Sequence, residues 1–417
     1  MPRLPDIVWI VTTQWRGQAL GFAGDPNART PHLERFAERA IHYTQAVTPH
    51  PFGPFARAAL LSGKPSPANG VRDYYDPLPE GSRTIAHALN EVGYDTAWFG
   101  KWHLSPRDPA APLVGEPHAR QPVLPGHRGG FGHWEGFESG FLLNDPWLQG
   151  DGIGEPRRFE GYQSEVLVDR FLGWHATREG ATRPGFTVLS LEAPHPPYAA
   201  PAAGLTPPDP ASLTLRGNVP PGGEVEEKAR RELSGYYAHI EATDRALGRV
   251  LAHPALEQAV VIVTSVHGDM HGSHGLFRKG WPHEESLRVP LLVRLPSFLR
   301  RFPFGVASSD LVSLLEVHDW TLRLAGLGGP AQRTPRLVQR CSMPSVVKLP
   351  LQCDREWTAY RGQRRKLVLN ANGSPWLYFD LEQDPLELRN LAPLPEWSAE
   401  LAEFRQACEE ELRRQEG

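Results

Sequence analysis

Cysteine is scarce in this chain. Three occur in 417 residues, Cys341, Cys353 and Cys408, all in the last quarter and none at a CxxC spacing. That excludes a disulfide-stapled scaffold, and no zinc-ligand pattern forms with nearby histidines. Reduced structural thiols are expected, with a Cys341–Cys353 pair the one disulfide left open. Long apolar runs are also missing. The N-terminal run, residues 7–11, is too short for a secretory leader, and no other run approaches the ~20 residues that span a bilayer. These absences predict no membrane partner and a cytoplasmic location. Excess charge of one sign is missing as well: the net charge is -4, which predicts no nucleic-acid partner. Nothing specifies an oligomeric state.

Proline and glycine are plentiful, 42 and 40, and spread along the chain, so ordered loops are expected rather than a low-complexity tail. Apolar runs at residues 6–11, 96–99, 186–192 and 259–264 read as strands. Helical spacing marks residues 31–40, 84–92, 162–176, 226–251 and 308–325, with a short buried helix over 56–62. The alternation predicts an α/β fold, a large central sheet flanked by helices on both faces. Two long loops, residues 105–133 and 196–223, are expected to shape a functional surface. After Gly328 the pattern changes. Strands at 365–369 and 376–381 flank the turn Asn372-Gly373, and a charged helix over 397–413 follows. The predicted division is a core of residues 1–328 and a small C-terminal α+β subdomain of residues 329–417.

Residues 48–63 read TPHPFGPFARAALLSG. The stretch resembles the signature of the type I sulfatases, in the alkaline phosphatase superfamily. There a Cys or Ser four residues before an Arg is oxidised to formylglycine, whose hydrate is the nucleophile. Arg57 and the run Ala58-Ala59-Leu60-Leu61-Ser62-Gly63 stand in place here. The nucleophile position falls on Gly53, which has no atom to attack with. Other blocks follow in the family's order: Arg16 with Ala19-Leu20-Gly21, Thr30-Pro31-His32-Leu33, Gly100-Lys101-Trp102-His103-Leu104, Ala193-Pro194-His195, residues 264–275, and Lys279-Gly280. Leu377-Tyr378-Phe379-Asp380-Leu381 resembles the family's C-terminal subdomain. The resemblance therefore implies the alkaline-phosphatase-like fold over nearly the whole chain.

It also implies a site with two unequal halves. Family members hold one divalent cation, usually calcium, at positions that correspond here to Thr13, Gln14, Gly53, Val266 and His267. Calcium needs six to eight hard oxygens, mostly carboxylate, and this degenerate set predicts no bound metal and no cofactor. The residues that surround sulfate in the family correspond to Arg57, Lys101, His103, His195 and Lys279. Those are kept, and they predict a cationic pocket for a small anionic molecule bearing sulfate, phosphate or carboxylate. His103, His195 and His267 are candidate acid–base residues, His50 is a further one, and His271 a candidate soft-metal ligand; the bland reading of each is a buried structural histidine.

Three functions fit these residues. The first is a sulfatase-like pseudoenzyme that binds an anionic ligand or partner. The second is a metal-independent enzyme using the histidines and lysines for acid–base chemistry. The third is a sulfuric or phosphoric ester hydrolase with an unusual nucleophile, Thr12, Thr13 or Ser62. The ordinary formylglycine and calcium chemistry of a sulfuric ester hydrolase is not expected.

Overall fold

Every residue of the strand β1, Ile7–Thr12, is buried, and its side chains alternate between two cores. Ile7, Trp9 and Val11 enter one apolar cluster, Val8 and Ile10 the other. The sheet is therefore covered on both faces. The computed structural model describes residues 4–299, 305–328 and 336–416.

Nine further strands extend β1: β2 Ile41–Val47, β3 Asp95–Lys101, β4 His133–Phe137, β5 Trp147–Gly150, β6 Gly154–Arg158, β7 Gly185–Ser190, β8 Val260–Ser265, β9 Leu291–Arg294 and β10 Val306–Ser313. Their spatial order is β10-β2-β9-β8-β1-β7-β3-β4-β5-β6. The central five, β8-β1-β7-β3-β4, run parallel, while β9 and the β5–β6 ribbon run antiparallel to their neighbours. Helices Gly53–Ser62, Ile85–Glu91 and Leu314–Leu324 contribute to the core of Trp9. Helices Pro31–Ala37, Gln163–Thr177 and Gly223–Leu251 cover the opposite face.

A second sheet, all antiparallel, joins β11 Val338–Met343, β12 Trp357–Gly362, β13 Arg365–Asn370 and β14 Pro375–Asp380, with the terminal helix Ser398–Glu416 packed on it. Cys341, Met343, Cys353 and Trp357 belong to the same apolar cluster as Trp9, so this sheet shares its core with the large one. The boundary predicted at 328/329 adjoins residues 329–335, which lie outside the described residues. The three cysteines are free; burial pushes the Cys341 thiol up to about 12. Among the described residues no helix is long and apolar enough to cross a membrane.

Two local expectations need correction. Residues 308–325 were expected to be one helix, but the segment is split. Its first part is the edge strand β10, and the helix starts only at Leu314, where Ser313 and Glu316 form a capping box. The helix behind the signature starts at Gly53, not at residue 56, because Pro54 suits a first turn.

Candidate functional site

Four adjacent parallel strands end at one place. The segment after β1 carries Thr13 and Gln14. The one after β7 carries Glu192 and His195, β3 ends in Lys101 and leads to His103, and β8 leads to His267, Asp269 and Lys279. Carboxyl ends of parallel strands are where α/β sheets place ligands. Gln14 and His103 have φ of 72° and 64°. Non-glycine residues held in this region cost energy and cluster at functional sites.

Lys101, His103, His195, His267 and Lys279 line one cavity with Thr13, Gly53 and the rings of Phe52, Tyr74 and Phe141. Its volume is ≈ 20 Å³, about the space one water needs. Gly53 does not open extra room in this cavity. A Cβ there would lie 3.0 Å from His103 Nδ1, so the imidazole occupies the space in front of the glycine. Arg57 differs from expectation, standing one layer behind the cavity. It donates from Nη2 to Thr13 Oγ1 at 2.7 Å and from Nη1 to Ser190 Oγ at 2.7 Å.

The charges are not all alike. Lys101 Nζ donates to Glu192 Oε1 at 2.6 Å, and both side chains are buried. Glu192 is the residue of this site that motif spacing does not single out. It was counted as the end of a strand, although an acid closing a buried apolar run three residues before His195 was itself a signal. Lys279 Nζ donates to Gln14 Oε1 at 2.8 Å and lies 2.8 Å from His195 Nε2. Burial, then the repulsion of Lys101, lowers the Lys279 ammonium to about 7. Burial lowers Lys101 to about 8, against the opposing pull of Glu192.

Burial holds His103, His195 and His267 well below the usual imidazole range, and neighbouring lysines add to this. All three are neutral at pH 7. His195 Nδ1 sits 2.7 Å from Pro196 O and His267 Nδ1 2.9 Å from Gly268 O. A carbonyl only accepts, so each carries its proton on Nδ1 and presents a lone pair from Nε2. The His195 lone pair meets Lys279, while His267 Nε2 and both ring nitrogens of His103 have no partner. Buried polar nitrogens are ordinarily hydrogen-bonded, and leaving one unmatched costs energy.

Of the positions matching the family's cation site, Thr13 and Gln14 are engaged elsewhere. Thr13 Oγ1 donates to Leu191 O at 2.8 Å as well as accepting from Arg57. The Gln14 carbonyl faces the Lys279 ammonium, and its amide donates to Asp269 and to Tyr198 OH. Val266 is part of the apolar core, and Gly53 has no side chain. No carboxylate stands at any of the five positions, and the charge nearest to Gln14 Oε1 is an ammonium. This donor set does not fit a calcium ion.

Other sequence candidates lie outside the cavity. His50 accepts from Ser66 N at 2.8 Å and meets Ser342 O at 3.0 Å, which makes it a pin between segments. Thr12 Oγ1 donates to Thr264 O, and Ser62 Oγ to Ala58 O at the far end of its helix, so neither faces the site. His271 packs against Tyr198 and Tyr236. Among the described residues the one cluster at metal-ligand spacing is His274, Glu285 and Glu387, which excludes His271. Lys366, Arg216 and Asn218 already hold its carboxylates.

Known proteins resemble this chain along nearly its whole length. The family model described as Sulfatase matches residues 5–327. The ulvan-active sulfatase of Formosa agariphila is 32% identical over 424 residues, covering 95% of this chain and 78% of its own. The choline-sulfatase of Rhizobium meliloti is 28% identical over 439 residues, covering 94% and 83%. Among solved structures, a putative sulfatase from Bacteroides fragilis superposes with a TM-score of 0.83 at 22% identity, over 99% of this chain and 96% of that one. The phosphonate monoester hydrolase of Agrobacterium radiobacter gives 0.74 at 20%, over 98% and 96%.

Proposed function

The chain belongs to the sulfatase family, and from that premise we propose that it binds a small oxyanion-bearing ligand without formylglycine or calcium. The ligand class is a sulfate, phosphate or carboxylate ester or salt. One observation carries the reading: Lys101 and Lys279 converge on a single cavity with His103, whose two ring nitrogens are buried and unpartnered. An entering anion gains charge-assisted hydrogen bonds from both ammoniums and one imidazole N–H. Arg57 adds field through Thr13. Glu192 offsets part of the charge and keeps Lys101 in place. At ≈ 20 Å³ the cavity is closed to a tetrahedral anion, so binding displaces Phe141 or Leu349 from its rim. Formylglycine forms from Cys or Ser, and Gly53 offers neither. We propose the role of a non-hydrolytic, sulfatase-like binding protein.

A second reading is favoured by the Lys279–His195 contact. An ammonium titrating near neutrality against an imidazole lone pair is a proton donor and acceptor at 2.8 Å, which suits metal-independent acid–base chemistry on the same anionic ligand. An unusual hydroxyl nucleophile has less support. Of Thr12, Thr13 and Ser62 only Thr13 reaches the cavity, and its hydroxyl proton is given to Leu191 O.

Titration calorimetry with sulfate, phosphate and a sulfated monosaccharide, after chelator treatment, tests the proposal. Binding of at least one that survives the chelator and is lost in Lys279→Met is expected. Silence with all three, or binding that requires added calcium, would remove it.

A further inference from the structure

Arg16 opens the first block of family resemblance, yet the site above leaves it without a role. Its side chain is 3% exposed and lines a separate cavity of ≈ 470 Å³ that shares no lining residue with the first. Arg216 and Arg288 line the same space, and Asp25 is the one acid among the described lining residues. We propose that this second cavity binds a small organic oxyanion, a phosphate- or carboxylate-bearing molecule of monosaccharide size.

Unspent donors point to an anion. A guanidinium carries five N–H groups in a fixed fork. Arg16 donates from Nη2 to Tyr237 OH at 3.0 Å, and its buried Nε has no partner. Arg216 donates from Nε to Glu285 at 2.9 Å, and Arg288 from Nη2 to Thr44 O at 2.7 Å. The side chains of Arg216 and Arg288 are 24% and 26% exposed, so part of each fork is open to the cavity they line. The acids nearby are already committed. Asp25 accepts from Tyr237 OH and Asn27 N, and Glu284 from Arg361 and Lys366. Glu285 pairs with Arg216 and Glu284 Oε2 lies 4.0 Å from Arg288 Nε, so the preference for an oxyanion rests on the guanidinium N–H groups that these pairs leave unused.

Size and wall chemistry set the rest of the ligand. The volume is within the range of small-molecule pockets and far above what an inorganic anion fills. Phe22, Pro26 and Leu215 give it apolar surface for a ring. The lip is pre-formed: Asn27 and Thr214 exchange hydrogen bonds of 2.9 and 3.0 Å across the two loops that enclose it.

Calorimetry on the full chain with D-glucose 6-phosphate and D-glucuronate tests this, in wild type and in Lys279→Met, which disables the first pocket only. Two variants address the second cavity. Arg288→Gln removes a guanidinium. Ala307→Trp fills the space from an exposed position on β10 and removes no charged group. At least one probe is expected to bind in wild type and in Lys279→Met, and about tenfold or more weaker in each cavity variant. Tighter binding of one probe assigns the headgroup. No heat with either probe overturns the proposal. So does binding that Lys279→Met abolishes and Ala307→Trp leaves unchanged, because the ligand is then in the first pocket.

Discussion

Glu192→Leu is expected to destabilise the fold by about 3–5 kcal/mol, the usual cost of stranding one member of a buried ion pair. Lys101 and Glu192 have side chains 1% and 0% exposed and are 2.6 Å apart. Without the carboxylate, Lys101 faces Arg57 and Arg107 with desolvation uncompensated. The double variant Lys101→Met/Glu192→Leu should recover most of the loss, because two apolar groups replace the pair. Urea denaturation of both variants at pH 6 reads the difference. Without Glu192 the Lys101 ammonium falls further below about 8, so the single-variant deficit should shrink as pH rises toward 8. A neutral Glu192→Leu would mean that the pair does not hold the pocket together.

Anion affinity is expected to fall by about 10²–10³ between pH 6 and pH 9. The sign follows from the two lysines. An anion favours their protonated forms, and they titrate near 7 and 8 in the free protein. At pH 6 both are charged, so binding takes up few protons. At pH 9 each must first be protonated, at a cost of about 1.4 kcal/mol per unit of pH above its pKa. Stability of the free protein runs the other way. Both values lie below the unfolded lysine value of 10.5, so the unfolded chain binds more protons between about pH 7 and 10.5. These two groups therefore make stability rise with pH across that window. Added sulfate should then raise the melting temperature most at pH 6. Calorimetry at four pH values checks the slope, and Lys279→Met should flatten it. A pH-independent affinity would place the anion away from both lysines.

The parallel centre of the fold was legible because β1, β7 and β8 are uniformly buried and read as continuous apolar runs. The edges were not. In β10, five of eight residues are exposed or half-buried, and its polar Ser308-Ser309-Asp310 carries no strand signal; pairing to β2 decides it. The strand β6, with the sequence GEPRR, is solvent-facing in the same way. In the site, motif positions located Lys101, His103, His195 and Lys279 around one cavity. What spacing could not convey was depth. Arg57 lies behind Thr13, and His103 fills the space in front of Gly53, because a left-handed turn after β3 folds the imidazole back over the helix start. The role of Glu192 was hidden for a related reason: only the neighbouring strand supplies its lysine.

Diffraction from crystals soaked in selenate, collected at the selenium edge after chelator treatment, tests the central claim most directly. The account predicts an anomalous peak within hydrogen-bonding reach of Lys101, Lys279 and His103, with Phe141 or Leu349 moved aside. An empty cavity, or a cation coordinated by oxygens at Thr13 and Gln14, would contradict it.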